Sequence, residues 1–451
     1  MTGKEQHKVV FGLSFSQYAW KQFRRNKSAI ISLYVLFALI FIAIFADFIA
    51  NNQPLYAKYH GKTFYPAFQS FFQKAYTDST KNPSTQKYET LQFDITDWRL
   101  LDLESVIWPI IPYSPNQPDR FNRDYAHPNG EQFLADKTGE LQPAPTFFRH
   151  HLGTTKIGLD VFSGIIHATR ISLKVGIVAM SIAGIIGVFL GALSGFYGDT
   201  KLQLSRGKYY TVWMGIIIGF FYAFVVRKYV LQDAINEIFF SAIQSIFTSL
   251  LIWIFVIFIS GLVGNLFGKI PYLDRKIYAP VDAIISRMIE ILDSLPKLLI
   301  IITIAALFHE KSIYLVMAVI GLTSWTGIAR FTRAEFLKNR NLNYTEAARA
   351  LGLSPYRIML KHILPNASGP IYVSLAFGIA SAILAETSLS FLGIGVPDDV
   401  VTWGSLLAAG RQQFDAWWLV VFPGLAIFIT VTVYNLIGEG LRDAFDPKLK
   451  R

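Results

Sequence analysis

Apolar residues in this chain gather into long runs separated by short polar stretches rich in Lys and Arg. A helix needs ~20 residues to cross the hydrocarbon core of a bilayer, so the pattern predicts membrane spans. A first run covers about 29–50 and a second about 171–197. Two more follow at about 209–226 and 243–268. The fifth is less regular: Arg287, Glu290 and Asp293 precede Pro296 and a short apolar run to Phe308. That order predicts a helix that begins in the cytoplasm and kinks near the proline. The sixth, seventh and eighth runs lie at about 313–329, 370–393 and 416–438.

Charge assigns the sides. Lys4, Lys8, Lys21, Arg24, Arg25 and Lys27 stand against the single acid Glu5, which places residues 1–28 in the cytoplasm. The polar stretch 51–170 balances twelve Lys/Arg with twelve Asp/Glu and suits the outer side. Basic residues recur at Lys201, Arg206 and Lys208, at Lys269, Arg275 and Lys276, throughout 330–366, and in the tail at Arg442, Lys448, Lys450 and Arg451. Eight spans with both termini inside satisfy the rule at every short loop.

Composition fits the same class. Mean hydropathy is +0.38, and 52% hydrophobic against 16% charged residues is far from a soluble chain. The net charge of +11 could suggest nucleic acid, but the basic residues sit in short loops beside apolar spans. Without cysteine there are no disulfides, cysteine-ligated zinc or iron–sulfur clusters. The first apolar run has no small-residue cleavage site and is too long for a signal peptide, so it reads as a retained anchor. The second span carries Gly184, Gly187, Gly191, Ala192 and Gly195, small residues that admit a close neighbouring helix.

The most informative segment is the basic loop between the sixth and seventh spans. Asn343 and Glu346 have capping-box spacing. Gly352 supplies a left-handed residue that stops a first short helix. Ser354-Pro355 starts a second, which Pro365 is expected to end. The run Glu346-Ala347-Ala348 through Gly352 to His362 and Ile363-Leu364-Pro365 resembles the EAA loop of ATP-binding-cassette importer permeases, where a separate ATPase docks. As a bland alternative, the loop is an amphipathic connector.

Other segments resemble the C-type permeases of the dipeptide/oligopeptide/nickel branch. They are Trp20-Lys-Gln-Phe-Arg24-Arg25-Asn26-Lys27, His151-Leu-Gly153-Thr154, Asp160-Val-Phe-Ser163 and Thr169-Arg170-Ile-Ser172. Glu386-Thr-Ser-Leu389-Ser390-Phe391-Leu392-Gly393, Trp403-Gly404, Trp417-Trp418, Pro423-Gly424 and Gly440-Leu-Arg442-Asp443-Ala-Phe-Asp446-Pro447 complete the set. The resemblance implies an all-α polytopic membrane protein, a type I importer permease bundle, with residues 171–449 as the permease domain. It implies a peptide-carrying subunit of the inner membrane whose ATPase contacts are Glu346, Ala347, Ala348, Gly352, His362 and Pro365. It also implies its partners: a second related permease, two ATPase subunits, an extracytoplasmic binding protein and a peptide substrate.

The chain departs from that pattern in places. Thr155 and Leu159 stand where the family has an acid and a base, so those roles are not carried over. The usual permease has six spans, which makes 209–268 an inserted pair, read as peripheral packing ahead of a partner-binding role. The outer segment 51–150 is long for the type. Gln53-Pro-Leu and Tyr59-His-Gly-Lys-Thr-Phe-Tyr-Pro66 look like variant permeases associated with microcin-type peptide uptake. Phe64, Phe68, Phe71 and Phe72 fall on one helical stripe, the face of a helix on the membrane or a neighbouring loop ahead of a ligand site.

Catalytic chemistry is largely absent from the pattern. Gly264-Asn-Leu-Phe-Gly268-Lys269 is one residue short of a phosphate-binding loop and lacks the Ser/Thr that reaches magnesium. The chain is therefore expected to have no nucleotide site, no cofactor and no enzymatic activity of its own. His150-His151 lacks a partner at metal-ligand spacing and is expected to be structural or on the surface. Among intramembrane ionisable groups, Glu386 either pairs within the bundle or lines the path, and Lys174 can snorkel to the outer interface. Nickel chelates, antimicrobial peptides or glutathione are alternative cargoes on the same architecture. An ion-coupled transporter or membrane-embedded enzyme would need a cluster of intramembrane acids or histidines that the sequence does not contain.

Overall fold

The computed structural model describes residues 15–445 apart from 74–75, 82–87, 137–138, 238, 268–269 and 308–310. The basic residues at 4 and 8, Gly268, Lys269, Phe308, the Asp446-Pro447 pair and the charged tail beyond it lie outside the described residues. In chain order the helices are α1 (Phe15–Phe23), α2 (Lys27–Ile44), α3 (Ala46–Ile49), α4 (Pro66–Phe72), α5 (Val161–Tyr197), α6 (Arg206–Phe220), α7 (Lys228–Glu237) and α8 (Phe239–Phe267). They continue with α9 (Val281–Ser294), α10 (Lys297–Leu307), α11 (Ile313–Asn339), α12 (Asn343–Ala350), α13 (Pro355–Arg357), α14 (Leu364–Phe391), α15 (Trp403–Gly410) and α16 (Trp418–Phe445).

Seven helical stretches among the described residues are long and apolar enough to cross a membrane: Lys27–Ile44, Val161–Tyr197, Arg206–Val226, Gln244–Phe267, Ile313–Asn339, Pro355–Phe391 and Trp418–Phe445. The fifth expected span is the exception. It is two short helices, α9 and α10, with extended backbone at Leu295 just before Pro296. Proline removes an N–H and pushes the preceding residue out of the helical region, so a break replaces the expected kink. The second span begins ten residues before its expected start, at Val161.

The chain forms two compact units, one running to Met180 and resuming at Leu375, the other Ser181–Ser374. In the first, α2 near the start of the described residues meets α16 near their end. Asn26 caps α2 by accepting from the Ala29 N–H at 3.1 Å, and its amide donates to Asp443 on α16 at 3.1 Å. Around them Ala19, Phe23, Ala29 and Ala444 make a small core. Trp418 donates from Nε1 to the Thr154 carbonyl at 3.1 Å, and Trp403 donates to the Ile165 carbonyl at 3.2 Å.

The segment between the first two spans has its own short-stranded fold, which the hydrophobic pattern does not forecast. Strand β1 (Tyr56–Tyr59) lies between β2 (Lys62–Phe64) and the later strand Ser105–Ile107, antiparallel to both. Ala57, Tyr59, Phe64, Phe93 and Trp98 form its core. Phe64 is therefore removed from the expected stripe: it sits in β2, fully buried, while Phe68, Phe71 and Phe72 stand exposed on α4. Only Tyr65 separates β2 from α4, but Phe64 itself is in the strand, so the helical period that would align it with the others never applies to it.

His150 is likewise buried in this unit. Its Nδ1 lies 2.8 Å from Asp160 Oδ1 and its Nε2 lies 3.2 Å from Asp119 Oδ2, and its ring stacks on Tyr113 at 3.9 Å. Asp160 in turn caps α5, its Oδ2 accepting from the Ser163 N–H at 2.6 Å. Burial alone would push the imidazole down, but hydrogen bonds to Asp119 and Asp160 and their charge outweigh it and raise it above the ordinary histidine value. For Asp119 burial acts upward, and the bonds from His150, Asn122 and the Phe121 N–H overcome it, leaving the carboxyl at about 2. Neither acid is at ligand spacing in sequence; the fold brings them to the ring.

In the second unit a glycine ridge on α5 packs against α11. A Cβ at Gly187 would meet the Trp325 carbonyl oxygen at 2.7 Å, one at Gly191 the Ala329 oxygen at 2.5 Å, and one at Gly195 the Arg333 oxygen at 2.6 Å. These positions recur every four residues on both helices, the small-residue packing used between membrane helices. Helices α6 and α8 form a hairpin, with Trp253 donating to the Ile216 carbonyl at 3.0 Å and Arg227 to Ser249 Oγ at 2.8 Å.

Candidate functional site

The loop after α11 is built on a short helix with well-defined ends. Leu342 occupies the N-cap of α12 with no side-chain cap, and Asn343 is already helical. The expected Asn343–Glu346 capping box is absent. Thr345 is fully buried, and its hydroxyl donates to the Asn339 carbonyl at 2.9 Å. That anchors the first turn one residue earlier than the capping pattern requires.

The C-terminus of α12 follows the expected chemistry. Gly352 has φ +74°, its N–H donates to the Arg349 carbonyl at 2.9 Å, and the Leu353 N–H donates to the Ala348 carbonyl at 3.2 Å. This pair of bonds is a Schellman motif, and Leu353 packs on Ala348 as such motifs favour. Ser354 then occupies the N-cap of α13 without a side-chain capping bond, and Pro355 stands in its first turn.

Pro365 does not end that second helix. The chain passes through a π-helical turn at Ile358–Ile363 directly into α14, in which Pro365 is the second residue. The wide turn accommodates a proline without an N–H to give, so helix runs from Pro355 to Phe391. The second half of the loop is thus the leading end of a membrane helix.

Exposure separates the loop residues. Ala348 is buried against Phe336, Ile358 and Ile363. Glu346, Ala347, Gly352 and Pro365 are exposed, and His362 is half-buried. Leu351 at the end of α12 and Tyr356 on α13 are 80% and 72% exposed, more than any other large apolar side chain described between 330 and 366. Sequence reading passed over both, although a Leu and a Tyr among polar loop residues are the available signal.

The base of the loop is braced. Arg340 donates to the Gly195 carbonyl at 3.1 Å, Arg349 donates to the Arg340 carbonyl at 3.1 Å, and Tyr344 donates to Asn339 Oδ1 at 2.9 Å. Arg349 also lies over the Phe196 ring at 5.7 Å. Lys201 belongs to the same cationic cluster: burial, then the charges of Arg349 and Arg340, push its ammonium down. Asp282 on α9, not singled out by sequence, is held by Arg333 through two bonds and accepts from Ser194. Asp293 pairs with Arg330 and accepts from Thr326 at 2.9 Å.

Glu386 lies in the other unit, fully buried, accepting from Ser390 Oγ at 2.5 Å. The nearby Thr402 and Ser405 form a reciprocal capping box at the start of α15. Each His150 ring nitrogen faces a carboxylate, and among the described residues no group of three His, Asp or Glu has a metal-binding arrangement.

Several helices of membrane length, with a braced short helix following one of them, give the chain the make-up of a multi-pass membrane protein. Residues 263–451 match the family described as binding-protein-dependent transport system inner membrane component, and residues 14–70 match the N-terminal TM domain of oligopeptide transport permease C. The chain belongs to this family of type I ATP-binding-cassette peptide permeases, multi-pass proteins of the inner membrane. It is similar to a Brucella suis protein named as a peptide transport system permease, 42% identical over 205 residues, 45% of this chain and 67% of that protein. The inner membrane ABC transporter permease protein YejE of Escherichia coli is 27% identical over 96% of this chain and 97% of its own length. The peptidoglycan transport system permease protein YejE of Agrobacterium fabrum is 26% identical over 95% of this chain and 92% of its own length.

Proposed function

We propose that the chain is a permease subunit of an ATP-driven peptide importer and takes its energy from a separate ATPase through α12. The observation that carries this reading is the exposure of Ala347 on α12, Leu351 at its end and Tyr356 on α13, while Ala348 on the other face of α12 is buried in one cluster with Phe336 of α11, Ile363 of the π turn and Ala367 of α14. Such a helix can seat in a cleft of a partner and move with its spans as one rigid piece. Glu346 adds a carboxylate in the first turn, where the helix dipole favours it. Gly352, His362 and Pro365 set the bend and the return into the membrane.

The assembly comprises this subunit, a related second permease, two ATPase subunits and an extracytoplasmic binding protein. In this reading residues 1–28 and 330–366 face the cytoplasm with both termini, and 51–170 face outward. The segment 171–449 is the permease domain, and the pair at 209–268 is an insertion. Glu386, whose Oε1 is satisfied by Ser390, acts within the bundle and not on cargo.

A second cargo reading has support. The relatives matched over nearly the whole chain include one named for peptidoglycan transport. Peptide-bearing cell-wall fragments are accordingly the runner-up, followed by the nickel chelates and microcin-type peptides that the branch resemblance implies. Uptake of labelled di- to hexapeptides, peptidoglycan fragments and nickel by cells with and without the subunit tests this. Peptide uptake that depends on the subunit supports the first reading; dependence confined to either other cargo overturns it.

A further inference from the structure

The inserted hairpin carries a feature that the transport cycle does not use. Between α6 and α8 runs an open groove of about 390 Å³, lined by Tyr210, Met214, Ile218, Ile259, Val263 and Leu273 among others. Its volume is that of a small-molecule site, and its lining is almost wholly apolar. Only a small share of either helix is buried within the protein, so the groove opens where hydrocarbon would surround it.

One end of the groove is basic. Strand β3 (Thr77–Lys81), β4 (Tyr88–Gln92), β5 (the Ser105–Ile107 strand), β6 (Phe133–Ala135) and β7 (Leu141–Pro143) belong to the outer segment. The next two, β8 (Gln203–Ser205) and β9 (Lys276–Tyr278), pair antiparallel at the foot of the hairpin. The Gly207 N–H donates to the Leu273 carbonyl at 3.1 Å and closes the groove there. Beside that closure the Arg206 N–H donates to the Arg275 carbonyl at 3.0 Å, and Lys276 stands opposite Ser205 in the ladder. Lys208 flanks the groove from the first turn of α6, and the Arg206 guanidinium lies over the Tyr272 ring at 5.7 Å. Asp274 is the acid of this foot. Among the described residues neither Arg206, Lys208, Arg275 nor Lys276 has an ion-pair partner.

We propose that this groove binds an anionic phospholipid of the surrounding bilayer, an acyl chain lying between α6 and α8 and the phosphate held at the Arg206, Lys208, Arg275 and Lys276 mouth. Charge complementarity selects the occupant. An apolar slot alone would take any lipid tail, and a basic patch alone any anion. A slot that ends in four uncompensated cations at the membrane edge fits a molecule that is apolar at one end and anionic at the other. The inference rests on the hairpin being embedded in the membrane and is independent of the cargo.

Native mass spectrometry of the complete transporter in detergent, titrated with phosphatidylglycerol or phosphatidylcholine, tests it. The wild type is expected to retain phosphatidylglycerol at least about tenfold more strongly, given the attraction each basic residue exerts on an anionic head group. Replacing all four cations by glutamine should abolish that preference. The exposed single substitutions Arg275→Gln and Lys276→Gln should each lower it about fivefold, and they keep the test valid if the quadruple variant misfolds. Met214→Trp, which fills the groove, should weaken retention of both lipids. Arg227→Gln, at the far end of the hairpin, should change neither. Equal retention of the two lipids by the wild type, an unchanged preference in the glutamine variants, unchanged retention in Met214→Trp, or displacement of phosphatidylglycerol by equimolar inorganic phosphate would each overturn the proposal.

Discussion

Arg333 on α11 grips Asp282 on α9 with both arms, Nε to Oδ1 at 2.5 Å and Nη2 to Oδ2 at 2.6 Å. Ser194 of α5 donates to the same carboxylate, and Asp199 accepts from the Ala283 N–H at 3.0 Å. Three helices are thereby fastened at the level from which α12 projects. On the proposed coupling role, a push on α12 would be passed to α9 and α5 as well as to its own span.

The Asp282–Arg333 pair is a bidentate, partly buried ion pair, so removing one partner strands the other. Asp282→Asn is expected to destabilise the protein by about 1–3 kcal/mol, and Arg333→Gln by a similar amount. The double substitution should cost less than the sum of the two. Thermal unfolding of the four proteins in detergent, analysed as a double-mutant cycle, checks this; additive effects would mean that the two side chains act independently.

The α5–α11 contact depends on missing side chains. Gly191→Val should destabilise by about 1–3 kcal/mol, because its Cβ would press on the Ala329 carbonyl oxygen and Thr332. Gly327→Ala meets nothing within 4 Å. With helix propensity alone at work it should be neutral or stabilise by up to about 1 kcal/mol. Opposite signs of the two shifts in unfolding temperature are the expected result.

At Gly352 the demand is conformational, since a Cβ there finds open space but φ is +74°. Gly352→Val should therefore cost about 1–2 kcal/mol in the folded loop, while Gly352→Asn, which tolerates the left-handed region, should cost less. Amide hydrogen exchange across 343–353 reads the difference directly.

The His150 network makes the segment between the first two spans sensitive to pH in two directions. His150 is raised above 6.5 in the fold, so its contribution is complete below pH 6.5 and is lost as pH rises through its folded value. Asp119 is lowered from 3.8 to about 2, so its contribution is complete above 3.8 and is lost as pH falls through about 2. Protection of the amides at 113–163 should be greatest between those limits. His150→Asn should remove the loss on the alkaline side.

Long apolar runs, the Gly-Leu-Ser-Pro punctuation and the small-residue stripe of α5 were legible because each is a local signal with a fixed period or a fixed dihedral demand. The Pro296 break and the continuation through Pro365 were misjudged for one reason. A proline says that a helical bond is missing, and the surroundings decide whether the chain breaks, as at Leu295, or widens into a π turn, as at Ile358–Ile363. The pairing of His150 with Asp119 and Asp160, and of Asp282 with Arg333, spans 10 to 51 residues. No short-range pattern carries such partners. Leu351 and Tyr356 were visible as letters, but only their exposure beside the burial of Ala348 shows which part of the loop is free.

ATP-dependent peptide uptake by proteoliposomes holding the complete transporter, with either Glu346→Lys or Gly352→Asp in this subunit, tests the coupling role of α12 most directly. The expected result is a subunit present in the membrane in normal amount, with uptake lost and copurification of the ATPase weakened. Uptake at the wild-type rate by either variant would contradict it.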